Sequence, residues 1–573
     1  MIKDLEKSSD GDIVDVSVCI VGAGAAGISL ARRLAENGIT FCLAEAGGLT
    51  FETASQDLYA GDSTGHPIDP REGRYRVFGG STTQWGGRCA ELDAHDFERR
   101  PWVAHSGWPI RKADLVPYYE AAKQALNFRQ PWVADAALIG KRPPLKAFAD
   151  GSGDVSLFIW RVASPDRRKT IRRHFKLGYH RNFDLAKAYR DDLSCNPSSF
   201  LYLHANFALF AGDPSAGRIR RAHFRSLNGH GLTITARHFV LAASGIENAR
   251  ILLNMEAAFL ARINRYDTVG RYFMQHPRGS ILRLAATAKQ AALLQKTLNN
   301  FLRPPRYDIR YEYGFSLSEK AQSSHGLLNA SAALQYSAGA DSPWAAGRRL
   351  RDSLRRGALL SPSNQRDARM LLAGARSILG NVLRKYVTGF ELRLANPQID
   401  VVIDLEQEPD RDSRIALADE RDATGLRRVT IDWKIGPAER RTARYLAEAL
   451  ARTFAAAGLT EATMPDWLSA NRPLTDRDLA GNYHFIGATR MAASPEHGVV
   501  DRDCRVFGSA NLHVVGASVF PTGGHANPTL TIVALALRLA DHLSAAVSAE
   551  ARPSAGAAVP PDHAAEPVET IAG

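Results

Sequence analysis

Val16-Ser17-Val18-Cys19-Ile20-Val21-Gly22-Ala23-Gly24-Ala25-Ala26-Gly27 is the stretch on which the fold of this chain turns. Residues 16–21 are a short β-branched apolar run with the character of a buried strand, and Ile28-Ser29-Leu30-Ala31-Arg32-Arg33-Leu34-Ala35 continues as a helix. Gly22, Gly24 and Gly27 between them form a GxGxxG turn in which Ala25 and Ala26 open the helix. The missing side chains let a pyrophosphate approach the unpaired N–H groups of the helix N-terminus. The motif is weak alone, and its strand-turn-helix context is what makes it informative. Glu45, followed by Ala46, ends the next strand 18 residues after Gly27. That is the position for a carboxylate that accepts hydrogen bonds from adenosine ribose hydroxyls.

The remainder of the 573 residues, 45% of them hydrophobic, has room for more than one domain and a sizeable core. No apolar run reaches the roughly 18–20 residues needed to cross a bilayer, and residues 1–15 lack the pattern of a secretory signal, so a cytoplasmic protein is expected. The Arg32-Arg33 pair falls inside the first helix and is not read as an export signal. Cys19, Cys42, Cys89, Cys195 and Cys504 show no CxxC and no ligand spacing, which argues against a metal site, a disulfide framework or a redox dithiol. The net charge of +12 concentrates in residues 340–386, at Arg348-Arg349, Arg351, Arg355-Arg356, Arg366, Arg369, Arg376 and Arg384-Lys385, alternating with Leu and Ala. One or two amphipathic helices are expected there, either solvated or in contact with a partner or an anionic membrane surface. Aromatic residues are sparse in the segment, so nucleic-acid binding by base stacking is not expected.

Farther along, the elements interleave. A Gly-rich loop, Phe78-Gly79-Gly80-Ser81-Thr82-Thr83-Gln84-Trp85-Gly86-Gly87, precedes a helix that contains Leu115, Tyr118, Tyr119 and Ala122. Residues 233–243, ending in Ala242-Ala243-Ser244-Gly245, read as a further strand of the nucleotide-binding sheet that leads into a helix from Glu247 to Asn254. Strand character at 399–403, 414–417 and 428–433 suggests an antiparallel sheet, and Pro437 starts a helix with Leu446, Leu450 and Phe454 on its core face. The expected organisation is a tail at 1–14, a mainly nucleotide-binding part at 15–280 with insertions, a mainly substrate-binding part at 281–475, a return to the nucleotide domain at 476–547, and a disordered tail at 548–573. Near the end, Leu512-His513-Val514-Val515-Gly516-Ala517-Ser518 reads as a strand closing in small residues. Asn527-Pro528-Thr529 precedes a helix, with Asn527 the expected cap and the helix N-terminus aimed at the cofactor.

The glycine fingerprint with Glu45, the Gly79-Gly80-Ser81-Thr82 loop, Gly270-Arg271-Tyr272-Phe273-Met274-Gln275-His276-Pro277, His484 before Gly487-Ala488-Thr489-Arg490-Met491, and Ser518-Val519-Phe520-Pro521 through Asn527-Pro528-Thr529 together resemble the glucose–methanol–choline (GMC) oxidoreductases. The resemblance is strong at both ends and weak in the middle. It implies an α/β fold, with a Rossmann-like FAD domain interleaved with a substrate domain built on an antiparallel sheet with helices. It also implies FAD-dependent oxidation of an alcohol to a carbonyl, closest in motif to the sugar- and pyranose-oxidising branch. His484 matches the family's conserved histidine and Asn527 the second active-site position, while His525, two residues too early, is read as a loop or pocket-lining residue. Gly22, Gly24, Ala25, Ala26, Gly27, Glu45, Ala46, Gly80, Ser81, Thr82, Ala243, Gly516, Ala517, Asn527, Pro528 and Thr529 are the expected cofactor contacts. Gly516 stands where many relatives have Asp, which leaves only backbone contacts at that position. Gln84 stands before Trp85 where flavin-linked relatives carry histidine, so non-covalent FAD is expected. A neutral imidazole suits removal of the hydroxyl proton, and the Asn527 amide suits orientation of the substrate. The expected substrate is a small-molecule alcohol, first a carbohydrate, glycoside or polyhydroxylated metabolite. The alternatives are a bulkier natural-product alcohol, a flavoprotein subunit of a partner-coupled dehydrogenase, and a non-redox lyase on the same scaffold. Oxygen, a quinone and a redox protein are all open as electron acceptor.

Overall fold

The computed structural model describes residues 2–8, 10–128, 153–164, 182–298, 310–339, 342–355, 362–388, 396–458, 461–469 and 472–550, with 132 and 394. Of the tail expected at 548–573, residues 548–550 instead close the helix Thr529–Glu550, and the rest lies outside the described residues.

The strand Asp12–Val21 sits at the centre of the first sheet. On one side it pairs in parallel with Phe41–Ala44, which pairs with Ser199–Leu203, which pairs with Ile2–Asp4. On the other side it pairs in parallel with Gly231–Leu241, whose second half pairs with Leu512–Val514 and whose first half carries the antiparallel hairpin Asn206–Asp213 and Arg218–Arg225. Val18, Cys19, Ile20, Phe41 and Cys42 are fully buried, as a parallel sheet covered on both faces requires. The helix Ala25–Glu36 packs against the long C-terminal helix Thr529–Glu550, which also meets Lys112–Ala125. Thr529–Glu550 is the one helix among the described residues long and apolar enough to cross a membrane, but most of that apolar surface is core, with Leu530, Val533, Leu535, Leu539 and Leu543 buried.

The second sheet is antiparallel throughout its pairings. Its order is Glu461–Thr463, Pro277–Ala285, Gln398–Leu405, Ala330–Ser337, Arg310–Leu317, Val155–Val162 and Arg88–Cys89, with Ala480–Gly481 pairing on Pro277–Ala285. The helix Pro437–Ala456 packs on it with Leu446, Leu450 and Phe454 buried. Its strands come from sequence on both sides of residues 199–241, so the two domains interleave as the resemblance implies.

Three further expectations are corrected. Residues 1–14 are not a tail: Ile2–Asp4 forms an edge strand, and Leu5 is fully buried with its N–H donating to the Leu203 carbonyl. Local polarity hid this because the partner is some 200 residues away. The strands at 398–432 do not share one sheet. Gln398–Leu405 belongs to the large sheet, whereas Arg414–Arg421 and Arg427–Asp432 form their own sheet with Gly61–Ser63. Alternation reports that a strand has a buried face, not which strand lies beside it. Asn527 is not the helix cap. The Pro528 carbonyl accepts the first helical bond, from Ile532 N–H, and the Asn527 amide turns toward His484.

Candidate active site

The carboxyl ends of four parallel strands meet at one edge. Gly22 N–H donates to the Ala44 carbonyl, Ala242 N–H to Val21, and Val515 N–H to Leu241, so the fingerprint turn, Glu45, Ala243 and Gly516-Ala517 are brought together. Such an edge is where an open α/β sheet binds its ligand. Gly22 has φ +100°, and an added Cβ would lie 2.8 Å from the Ala242 carbonyl oxygen; at Gly27 it would lie 1.9 Å from the Gly22 carbonyl oxygen. Gly24 differs, since a Cβ there meets nothing within 4 Å. Gly24 opens the helix Ala25–Glu36, which has no side-chain cap and no acidic residue in its first turn. Free N–H groups facing open space fit a pyrophosphate.

Glu45 is buried, with one carboxylate oxygen accepting the Ala23 N–H (2.8 Å) and the other the Gly47 N–H (2.9 Å). Burial outweighs these donors and raises its pKa. Gly80 approaches the fingerprint so closely that a Cβ would lie 3.0 Å from Gly24 Cα. The neighbouring hydroxyls are both bound to backbone: Ser81 donates to the Gly73 carbonyl and Thr82 to that of Gly79. Ala46 leads from Glu45 into Gly47, its carbonyl accepting from the Ser55 hydroxyl. Ala243 N–H donates to Asn248 Oδ1, and Asn248 Nδ2 donates to Ser518 Oγ. Asn248, fully buried, ties the turn at Ala243 to the turn at Ser518. It carries no sequence signal beyond a place in the helix Gly245–Leu253.

The reactive end is built by an antiparallel bridge between Met274 and Ile486, whose N–H groups each donate to the other's carbonyl. His276, two residues after Met274, therefore stands opposite His484, two residues before Ile486. Their Nδ1 atoms are 2.8 Å apart. On the other side of the ring, the Asn527 amide nitrogen is 3.2 Å from His484 Nε2. An amide N–H only donates, so Nε2 presents its lone pair there and Nδ1 carries the hydrogen shared with His276. His276 is buried, with its Nε2 beside the Gly523 backbone. Its presence in the quoted Gly270–Pro277 motif was the one available signal for a residue not singled out from sequence.

Behind His484 lies a charge cluster that the sequence did not disclose. Buried Asp404 accepts from Arg278 (2.6 and 2.8 Å), Arg88 (3.3 Å) and Asn482 (3.0 Å), while Arg88 also pairs with Glu312. Burial first, then the neighbouring His276, holds the His484 pKa well below the usual imidazole value of 6.5, and the opposing field of Asp404 does not restore it. His484 is therefore a neutral acceptor over the physiological range. Protonation fills the Nε2 lone pair, so any reaction that uses it is expected to be lost below pH 6.5 rather than at it. The rate of flavin reduction by substrate, followed against pH in a stopped-flow instrument, is expected to hold its plateau through pH 6.5; half-loss at that value would mean an ordinary, solvated imidazole.

His525 does not join this group through any direct hydrogen bond to His484. It is buried, with Nε2 3.3 Å from Asp93 Oδ2 and its ring edge-on to Phe158 at 4.6 Å. Burial alone would lower its pKa, but the hydrogen bond to Asp93 and the fields of Asp93, Asp96 and Glu406 outweigh burial and raise it. Asp93 keeps 44% of its side-chain surface accessible.

Residues 409–536 match the family described as GMC oxidoreductase. Over those residues the chain carries the C-terminal region of a GMC oxidoreductase. It is similar to 6'''-hydroxyparomomycin C oxidase of Streptomyces lividus, 25% identical with 92% of each chain covered. It is also similar to the fructose dehydrogenase large subunit of Gluconobacter japonicus, 22% identical over 92% of this chain and 98% of that one. Among solved structures, pyridoxine 4-oxidase from Mesorbium loti superposes with a TM-score of 0.56 at 15% identity, covering 92% of this chain and 99% of that one, which shows the shared fold. The protein is an FAD-dependent oxidoreductase acting on CH–OH groups. The open face at Gly24, the uncapped helix and the Asn248-linked turns are what its residues offer that cofactor.

Proposed function

We propose that this GMC oxidoreductase oxidises an alcohol group of a sugar, glycoside or other polyhydroxylated metabolite to a carbonyl, with His484 as general base, Asn527 as orienting residue and FAD held without a covalent bond. The observation that carries this reading is His484 fixed between His276 and Asn527, with its lone pair on the Asn527 side. Bound FAD supplies an acceptor for the hydride that leaves the carbinol carbon. His484 Nε2 takes the hydroxyl proton, and the electron pair left on oxygen forms the second C–O bond of the carbonyl as the hydride departs. Asn527 donates its amide N–H to the same oxygen and holds the carbon in place. His276 keeps the His484 ring in the tautomer that accepts at Nε2, and the Asp404 carboxylate offsets the charge of the imidazolium that forms.

The sugar preference is supported by the two relatives named above, whose names specify an aminoglycoside and fructose. Non-covalent attachment is supported by Gln84, which offers an exposed amide where linkage would need a nucleophilic ring. One anaerobic experiment tests the reading. Mixing the yellow protein with sugars, glycosides and simple alcohols is expected to bleach the oxidised flavin band with a polyhydroxylated compound, and acid precipitation is expected to release the flavin into solution. Bleaching confined to simple or aromatic alcohols would overturn the substrate class, and flavin pelleting with the protein would overturn the attachment. Readmitting air to the bleached sample separates oxygen from other acceptors.

A further inference from the structure

The helices Pro343–Arg355 and Pro362–Thr388 pack chiefly on each other, and in the sequence they connect Ala330–Ser337 to Gln398–Leu405 of the second sheet. Their contact face is unusual in its chemistry. The longer helix turns Asn364, Asp367, Gly374 and Asn381 inward. Asp367 pairs with Arg349, Asn364 donates to Ser353 Oγ at 2.9 Å, and Gly374 comes so near Pro343 that a Cβ would sit 2.4 Å from its ring. The outward face carries Arg369, Leu372, Arg376 and Leu379, all exposed. Successive steps of four, three, four and three residues from Gln365 keep these positions within one narrow arc of the helix. Leu372 is 77% exposed and Leu379 61%, the reverse of what a helix packed for water solubility alone presents. The charge is equally one-sided. Residues 342–388 hold ten basic and two acidic side chains, so eight of the chain's twelve net positive charges lie in this hairpin.

We propose that the outward face of Pro362–Thr388 docks on a bilayer surface rich in anionic lipid, with the helix lying in the interface. Leucines alternating with arginines along one arc suit the boundary between acyl chains and phosphates, where the leucines enter the apolar side and the guanidiniums stay with the headgroups. A nucleic acid is a poorer match, because Tyr386 is the only aromatic residue between 362 and 388. The core helix Thr529–Glu550 plays no part, since its apolar face is already buried in the protein.

The test is co-sedimentation of the full-length, FAD-loaded protein with phosphatidylcholine vesicles containing none or about a third of phosphatidylglycerol, at about 0.1 M salt. Binding to the anionic vesicles alone is expected. Leu372→Ser/Leu379→Ser and, separately, Arg369→Gln/Arg376→Gln are each expected to weaken it by about tenfold or more. Both pairs are exposed and make none of the contacts that hold His484, so melting temperature and flavin reduction should not change, and a failed sugar assignment would leave this result untouched. Three results would overturn the proposal: no binding to anionic vesicles, equal binding to neutral ones, or full binding by the Leu372→Ser/Leu379→Ser variant. The last would mean diffuse charge attraction of the sort an acidic protein partner would also satisfy.

Discussion

His484→Ala is expected to purify yellow and to reduce its flavin with substrate about 10²–10⁴-fold more slowly than the parent, the range that a positioned general base contributes. The reasoning is geometric. Nε2 faces Asn527 at 3.2 Å, Nδ1 is engaged by His276 at 2.8 Å, and neither the glycine fingerprint nor the Ala243–Asn248–Ser518 link bonds the imidazole, so the loss should fall on proton removal more than on FAD binding. Asn527→Ala removes an orienting amide and leaves the base in place, so its loss should be smaller, on the order of tenfold to a hundredfold. Added imidazole is expected to restore part of the rate in His484→Ala and none in Asn527→Ala. Stopped-flow reduction measures all three effects, and a parental rate in His484→Ala would end its assignment as base.

Gly24→Val is expected to give a folded but colourless protein. A Cβ at Gly24 meets no protein atom within 4 Å, and its backbone, at φ −82° and ψ −162°, is extended and open to any residue. The valine therefore costs the fold little while filling the space in front of the uncapped helix N-terminus, where a pyrophosphate would sit. Gly27→Ala is the contrasting variant, since its methyl group would be driven to 1.9 Å from the Gly22 carbonyl oxygen and should impair folding itself. Absorbance near the flavin band, read beside the circular dichroism of both variants, distinguishes the two causes. A yellow Gly24→Val protein would show that the cofactor's phosphates lie elsewhere.

What the sequence determined by itself was whatever depends on neighbours in the chain. The strand-turn-helix at 16–36 followed from a β-branched run, three glycines and a helical periodicity, all local quantities. The helices at 437–456 and 529–550 and the basic hairpin of 343–388 followed in the same way. His484 and Asn527 were legible because each sits in a distinctive flank, although their mutual approach, across 43 positions, was carried by the resemblance and not by spacing.

Only the tertiary structure decided which distant segments share an edge, because a strand's pattern fixes its buried face and leaves its partner unspecified. Ile2–Asp4 became part of the first sheet through Ser199–Leu203, and Arg414–Arg421 left the large sheet for a small one. The same physics hid half of the candidate site. Asp404 reads locally as one polar residue in an alternating strand, and it becomes the hub for Arg88, Arg278 and Asn482 only when four separate segments converge. His276 reaches His484 because one antiparallel bridge, Met274 to Ile486, sets the two rings side by side, and the burial this imposes is what keeps His484 neutral. Local sequence supplied the groups, and desolvation and cross-strand register, which are properties of the folded whole, set their chemistry.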